Sequence, residues 1–205
     1  MRRNIGAVVL AAGLSRRMGE QNKLLVCVGG RPMVRVVAET ALSAGFDPVI
    51  AVLGHEPKEV RHALEGLPVA YAETVDPHLG LARSLAVGIR ELSRAGAAAA
   101  LVLLGDMPMV SAEHIQALVD AFDPAAGRSI CVPVHAGRRG NPVLWDSRYF
   151  DEIQALEGDQ GAKSLLDAHA EGVWQVPVTD SGVLADVDTP GDVERLLGPS
   201  APAAP

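Results

Sequence analysis

The sequence predicts an α/β protein, a three-layer sandwich with a mostly parallel sheet and helices on both faces. Three observations predict it. Short apolar runs at 5–10, 49–53 and 69–72 alternate with stretches of helical period, an order that favours parallel strands with right-handed crossovers. The chain is 48% hydrophobic but only 3% aromatic, so its core is aliphatic. Its 205 residues suit one large domain or two small ones; we expect one domain over 1–198 and a disordered Pro/Ala tail over 199–205.

The elements follow in order. Residues 5–10 read as a buried strand that breaks into Ala11-Ala12-Gly13-Leu14-Ser15-Arg16-Arg17-Met18-Gly19, with Lys23 beyond. Glycine permits close approach of backbone N–H groups to an anion, and arginine and lysine add donors suited to phosphate. These residues fit a triphosphate cradle or a basic surface loop. Neither G-x-x-x-x-G-K-[ST] nor G-x-G-x-x-G occurs here. Residues 24–28 read as extended, Gly29-Gly30 as a turn, and Pro32 as the first turn of a helix carrying Val34, Val37, Ala38, Ala41 and Leu42 until Gly45. Strand 49–53, helix 57–64 and strand 69–72 come next, then a loop over 73–80 and a helix faced by Leu81, Leu85, Ile89 and Leu92.

Residues 98–104 form the most hydrophobic run, the expected central strand, leading into Gly105-Asp106-Met107-Pro108. Ligands of open α/β sheets gather at strand carboxyl ends, where Asp106 could hold a metal or merely cap a turn. Ser111 reads as the N-cap of a helix faced by Ile115, Leu118, Val119 and Phe122. A loop over 123–128 and a strand over 130–134 follow. Next come Arg138, Arg139, Gly140, Asn141 and Pro142, an apolar strand, and a glycine-rich helix start at 158–163 ending in Lys163. Strand 173–178 precedes Asp186-Val187-Asp188-Thr189-Pro190. If 183–188 is a strand, Asp186 and Asp188 share a face, an arrangement that asks for a cation; alternatively Asp188 or Thr189 caps the last helix, with Val193, Leu196 and Leu197 apolar.

Several of these segments carry a resemblance. L-A-A-G-L-S-R-R-M-G-x-x-x-K-L-L, G-L-A-R-S-L, G-D-M-P, G-D-Q-G-A-K and D-V-D-T-P are similar to segments of the molybdopterin nucleotidyltransferases, and the Ala11-Ala12 form resembles the cytidylyltransferase branch. The resemblance implies a Rossmann-like fold and magnesium-dependent transfer of CMP from CTP to the phosphate of molybdopterin cofactor, releasing pyrophosphate. It assigns Leu10, Ala11, Ala12, Gly13, Leu14, Ser15, Arg16, Lys23, Gly80, Ser84, Gly105 and Asp106 to the nucleotide. Of these, Arg16, Lys23 and Asp106 are the catalytic set, and Asp106, Asp186 and Asp188 the magnesium ligands. Arg138, Asn141 and Lys163 are the acceptor-side residues, although Arg138 and Arg139 could meet the acceptor's phosphate or merely decorate a hairpin, and residues 158–163 could simply cap a helix. Asn141 stands where many relatives carry His, which keeps a hydrogen-bonding tip but removes a titratable one. Ala12 adds a methyl where the guanylyl branch has glycine, which narrows the base pocket. The resemblance also implies a recipient molybdoenzyme or its chaperone. The alternatives are a GTP-using or sugar-phosphate nucleotidyltransferase, a non-catalytic cofactor carrier, and a nicotinamide-dependent oxidoreductase.

A net charge of −7 argues against general nucleic-acid binding. Met1-Arg2-Arg3 imitates a signal peptide, but cleavage there would delete the first strand. No apolar run reaches the ~20 residues of a membrane span. Cys27 and Cys131 lie in apolar runs, so both are expected as buried, reduced thiols of a cytoplasmic protein. A monomer is expected.

Overall fold

The computed structural model describes residues 4–19, 21–74, 80–158 and 161–197, without the side chains of Arg16 and Leu197. The loop expected over 73–80, the Asp159-Gln160 step and the Pro/Ala tail therefore fall wholly or partly outside the described residues.

Strands β1 (Ile5–Ala11), β4 (Val49–Leu53), β5 (Ala70–Glu73) and β6 (Ala99–Leu104) are mutually parallel, with β1 between β4 and β6. Beyond β6 the sheet continues through β9 (Val143–Asp146), β7 (Ile130–His135) and β10 (Val173–Pro177). Only β9 runs against its neighbours in this series. The short β8 (Arg138–Arg139) folds back antiparallel onto β7. Strands β2 (Cys27–Val28) and β3 (Arg31–Pro32) form a separate ribbon. Its turn, Gly29-Gly30, has positive φ at both residues (57° and 80°), the geometry that tight hairpins demand.

Strand periodicity sorts β1 between two cores. Ala7, Val9 and Ala11 face Val34 and Val37 of α1 (Met33–Ser43), Val60 of α2 (Pro57–Ala63) and Ile115 of α4 (Ala112–Ala121). Val8 and Leu10 face the opposite layer, with Leu85 and Ile89 of α3 (Leu81–Arg94), Ile153 of α5 (Phe150–Gln154) and Leu165 of α6 (Lys163–Ala168). Helix α3 lies so close to the sheet that a Cβ on Gly88 would come within 2.5 Å of Val8. The three-layer, mostly parallel expectation holds.

The register places the site. Leu10 pairs with Leu104 and Ala11 with Leu53, so the chain leaves β1, β6 and β4 at one level of the same sheet edge. The loop after β1 and Asp106 after β6 are therefore neighbours.

Three expectations are corrected. Residues 183–188 are not a strand: Ser181–Leu184 is a single 3-10 turn, and no strand follows it among the described residues. Asp186 and Asp188 consequently do not share a pleated face; Asp186 is exposed and Asp188 is half-buried. Cys27 is exposed, because a two-residue ribbon has no second layer to cover it, whereas Cys131 lies in the core. Pro32, finally, precedes α1 as its N-cap instead of sitting in its first turn.

Candidate active site

The loop after β1 is built on buried hydrogen bonds. Ser15 adopts a left-handed conformation (φ 50°), turning the chain into a 3-10 turn over Arg16–Met18. Its hydroxyl accepts the Lys23 N–H at 3.1 Å and donates to Asn22 Oδ1 at 3.4 Å. Asn22 Oδ1 also accepts the Leu24 N–H at 3.1 Å, and Asn22 Nδ2 donates to Glu56 Oε2 at 3.0 Å. Ser15, Asn22 and Lys23 are all buried. Satisfied buried networks of this kind fix a single geometry, and here they fix the origin of the Lys23 side chain.

Lys23 Nζ lies 2.5 Å from Asp106 Oδ2 and 2.6 Å from Asp188 Oδ1. Arg17 meets the other Asp188 oxygen at 2.8 Å. Burial works against the Lys23 charge, but the two carboxylates outweigh it and hold the ammonium above its ordinary pKa. Asp188 is available for this pairing because it does not cap the last helix, α7 (Pro190–Leu197). Thr189 does so instead. Its hydroxyl donates to Asp192 Oδ2 at 2.7 Å and accepts the Asp192 N–H at 3.2 Å. The bond from the Thr189 hydroxyl, first among several, depresses the Asp192 pKa.

These groups open into a cavity of about 390 Å³. Leu10, Ala12, Gly13, Leu14, Ser15, Lys23, Gly80, Ser84, Asp106 and Asp188 all line it, as does Arg17. Gly13 is informative. It has no positive φ, and a Cβ there would meet nothing within 4 Å. The protein itself does not need glycine at that point; the open space is where an anion would approach the backbone. Gly80, by contrast, is required by its φ of 90° at the start of α3.

A second cavity of about 340 Å³ adjoins the first, sharing Leu10, Leu81 and Leu104 as a common wall. Its floor is apolar, with Val102, Val143 and Trp145, and its rim carries Arg139, Asn141, Lys163 and Asp167. Asn141 and Lys163 thus stand together. Arg138 does not line this cavity; Arg139 does, and it pairs loosely with Asp167 at 3.5 Å.

Other expected residues sit apart. Ala11 is fully buried in the core. Gly105 lines neither cavity, and a Cβ there would lie 2.9 Å from the Leu10 carbonyl, so its smallness serves packing. Asp186 does not line either cavity. The Arg16 side chain lies outside the described residues. Sequence reasoning passes over Asn22 and, from each pair of adjacent arginines, assigns Arg16 and Arg138 to the site. Asn22 carried a usable signal, an Asn just before an apolar turn that it caps. Arg17 and Arg139 carried none, since nothing in adjacent arginines says which one faces the cleft.

The donor set suits a divalent ion brought in with phosphates. Asp106 Oδ1 is buried without a hydrogen-bond partner, an arrangement that is costly unless something else supplies one. Among the described residues no three His, Cys, Asp or Glu side chains form a cluster able to hold a metal unaided. Magnesium is characteristically held by one or two carboxylates plus substrate phosphates and water.

Residues 7–173 match the family described as the MobA-like NTP transferase domain. The chain belongs to that family. It is a nucleotidyltransferase. Over 202 residues it is 34% identical to purine catabolism protein PucB of Bacillus subtilis, covering 92% of this chain and 94% of PucB. It also matches bifunctional protein GlmU of Anaeromyxobacter dehalogenans at 31% identity, but spans only 38% of that longer protein. Among solved structures it superposes on Rv0371c of Mycobacterium tuberculosis with a TM-score of 0.82 at 30% identity, covering 96% and 99% of the two chains. A nucleotidyl transferase from Methanothermobacter gives 0.81 at 26% identity, covering 94% and 95%. Rv0371c has also been solved as a manganese complex, which matches with a TM-score of 0.75, 30% identity and coverage of 95% and 98%. This agrees with a divalent metal in such nucleotidyltransferases. No helix among the described residues of this MobA-like chain is long and apolar enough to cross a membrane.

Proposed function

We propose that this enzyme transfers CMP from CTP to the phosphate of molybdopterin cofactor and releases pyrophosphate. The observation that carries the site assignment is Lys23 held between Asp106 and Asp188 at the mouth of the Gly13 loop. Cytidine and molybdopterin come from the motif resemblance. PucB, named for purine catabolism, is a relative over nearly its whole length.

The reaction needs no covalent nucleophile from the protein. The acceptor phosphate is already anionic, and the barrier lies in bringing two anions together and stabilising the departing pyrophosphate. The open backbone at Gly13 takes phosphate oxygens, and Arg17 and Lys23 neutralise them. Lys23 reaches the leaving group by exchanging its carboxylate partners for phosphate. Asp106 and Asp188 would then hold magnesium, which supplies charge neutralisation at the phosphates. The Ala12 methyl lines the same cavity and limits the room for a base. On the acceptor side Asn141 and Lys163 are joined by Arg139, which takes the place given to Arg138 by sequence, above an apolar floor suited to a flat ring system. The enzyme would act as a single domain in the cytoplasm.

Pyrophosphate release is measured with magnesium, molybdenum-loaded molybdopterin and each of the four nucleotides. Release with CTP alone is expected. Release with GTP alone, or with a sugar phosphate in place of molybdopterin, contradicts the assignment.

A further inference from the structure

One backbone segment, residues 180–188, touches both halves of the cleft. The Asn141 N–H donates to the Val183 carbonyl at 2.9 Å, on the acceptor side. The Val187 N–H donates to the Asp106 carbonyl at 3.0 Å, and the next residue, Asp188, meets Lys23. Glycines let this segment lie hard against its neighbours. A Cβ on Gly182 would fall 2.4 Å from the Met109 carbonyl oxygen, and one on Gly140 would fall 2.2 Å from that of Val183.

The start of the segment is fastened outside the cleft. His114 is 4% exposed at the beginning of α4. Its Nδ1 accepts the Ser111 N–H at 3.2 Å, which leaves the proton of the neutral ring on Nε2. Nε2 then donates to Asp180 Oδ2 at 3.0 Å. The other Asp180 oxygen accepts the Gly182 N–H at 2.8 Å. A buried imidazole and a carboxylate therefore clamp the turn from which Val183, Val187 and Asp188 are carried. Neither His114 nor Asp180 lines either cavity.

We infer that His114 and Asp180 are positioning residues, whose pairing sets Asp188 on the triphosphate side and Asn141 on the acceptor side through one stretch of backbone. A segment shared by two subsites places both from one anchor, so loosening that anchor disturbs both. The functional consequence rests on the nucleotidyl-transfer reading above; the backbone coupling does not.

The test is amide hydrogen exchange by NMR, read residue by residue, together with Mn²⁺–CTP affinity by electron paramagnetic resonance. In Asp180→Ala, exchange at Asn141 and at Val187 should rise together by about tenfold, the scale of one lost charged hydrogen bond. The amides of β1 should not change, and Mn²⁺–CTP should bind several-fold more weakly. Asp180→Asn keeps an acceptor oxygen and should recover part of each effect; it also serves if the alanine variant fails to fold. Unchanged exchange at either amide overturns the inference, as does unchanged Mn²⁺–CTP affinity in a variant with exchange raised at both. If exchange rises at both amides in Asp180→Ala but the wild-type protein does not bind Mn²⁺–CTP, the function is retired and the backbone coupling stands.

Discussion

The two halves of the cleft are built on opposite principles. The half proposed for the triphosphate is a network of charges, with the buried Ser15 and Asn22 and the half-buried Glu56 behind Lys23. The acceptor half is an apolar floor whose polar groups stand at the rim, with Arg139 and Asp167 in a loose, exposed pair. A buried charge network loses much when one member is removed, because its partners remain buried and unpaired. An exposed pair costs little to break and reform. On the proposed assignment, the phosphate side is thus fixed in the fold before ligand arrives, whereas the acceptor rim can adjust.

That contrast can be broken by mutation. The largest effects are expected at Lys23→Ala and Asp106→Asn, each cutting kcat by ~10²-fold or more, as loss of a charge-stabilising group does. Wild-type turnover in steady-state assays of either would remove it from the scheme.

Next comes a pair of glycines. Gly13→Ala should raise the KM for CTP by roughly tenfold while leaving the melting temperature within about a degree, since its Cβ meets no protein atom within 4 Å. Gly140→Ala should instead destabilise the fold by about 1–3 kcal/mol, because its Cβ would collide with the Val183 carbonyl. Kinetics and thermal melts on both variants separate a ligand-shaped space from a packing requirement.

On the acceptor side, Arg139→Ala should raise the acceptor KM by roughly 3–10-fold with an unchanged KM for CTP, and Arg138→Ala should do neither. Equal effects of the two would dissolve the distinction between them. Ala12→Gly should narrow the preference between CTP and GTP by a smaller factor, on the ~1 kcal/mol scale of a methyl contact.

The smallest effect concerns the cysteines. Burial pushes the Cys131 thiol up to about 11, so its thiolate fraction is negligible at pH 8 and grows only as pH approaches that value. Cys27 is exposed. Iodoacetamide at pH 8 should label Cys27 alone, read by peptide mass spectrometry, without loss of fold.

Much of the fold could be read from the sequence because it depends on periodicity. The alternation in β1 and the helical stripe of α3 are local patterns, and they fix layer and order. The antiparallel entry of β9 between β6 and β7 was not legible, since an apolar run has no direction. The Asp186-Val187-Asp188 segment misled for a different reason. Alternating residues look like a strand, but here Val187 is buried by tertiary contact and its N–H bonds to Asp106, not to a ladder. In the site, residues placed by backbone geometry were legible: Gly13, Lys23 and Asp106 follow from a loop or strand end. Arg17 and Arg139 were not, because their direction is set by a left-handed turn at Ser15 and by a hairpin.

The decisive measurement is Mn²⁺ binding followed by electron paramagnetic resonance, with and without CTP, in wild type, Asp106→Asn and Asp188→Asn. If Asp106 and Asp188 hold the metal together with the nucleotide phosphates, Mn²⁺ binds weakly alone and strongly with CTP, and both variants lose that gain. A CTP-dependent gain that survives in both variants would contradict this assignment, and so would a metal that binds tightly with no nucleotide present.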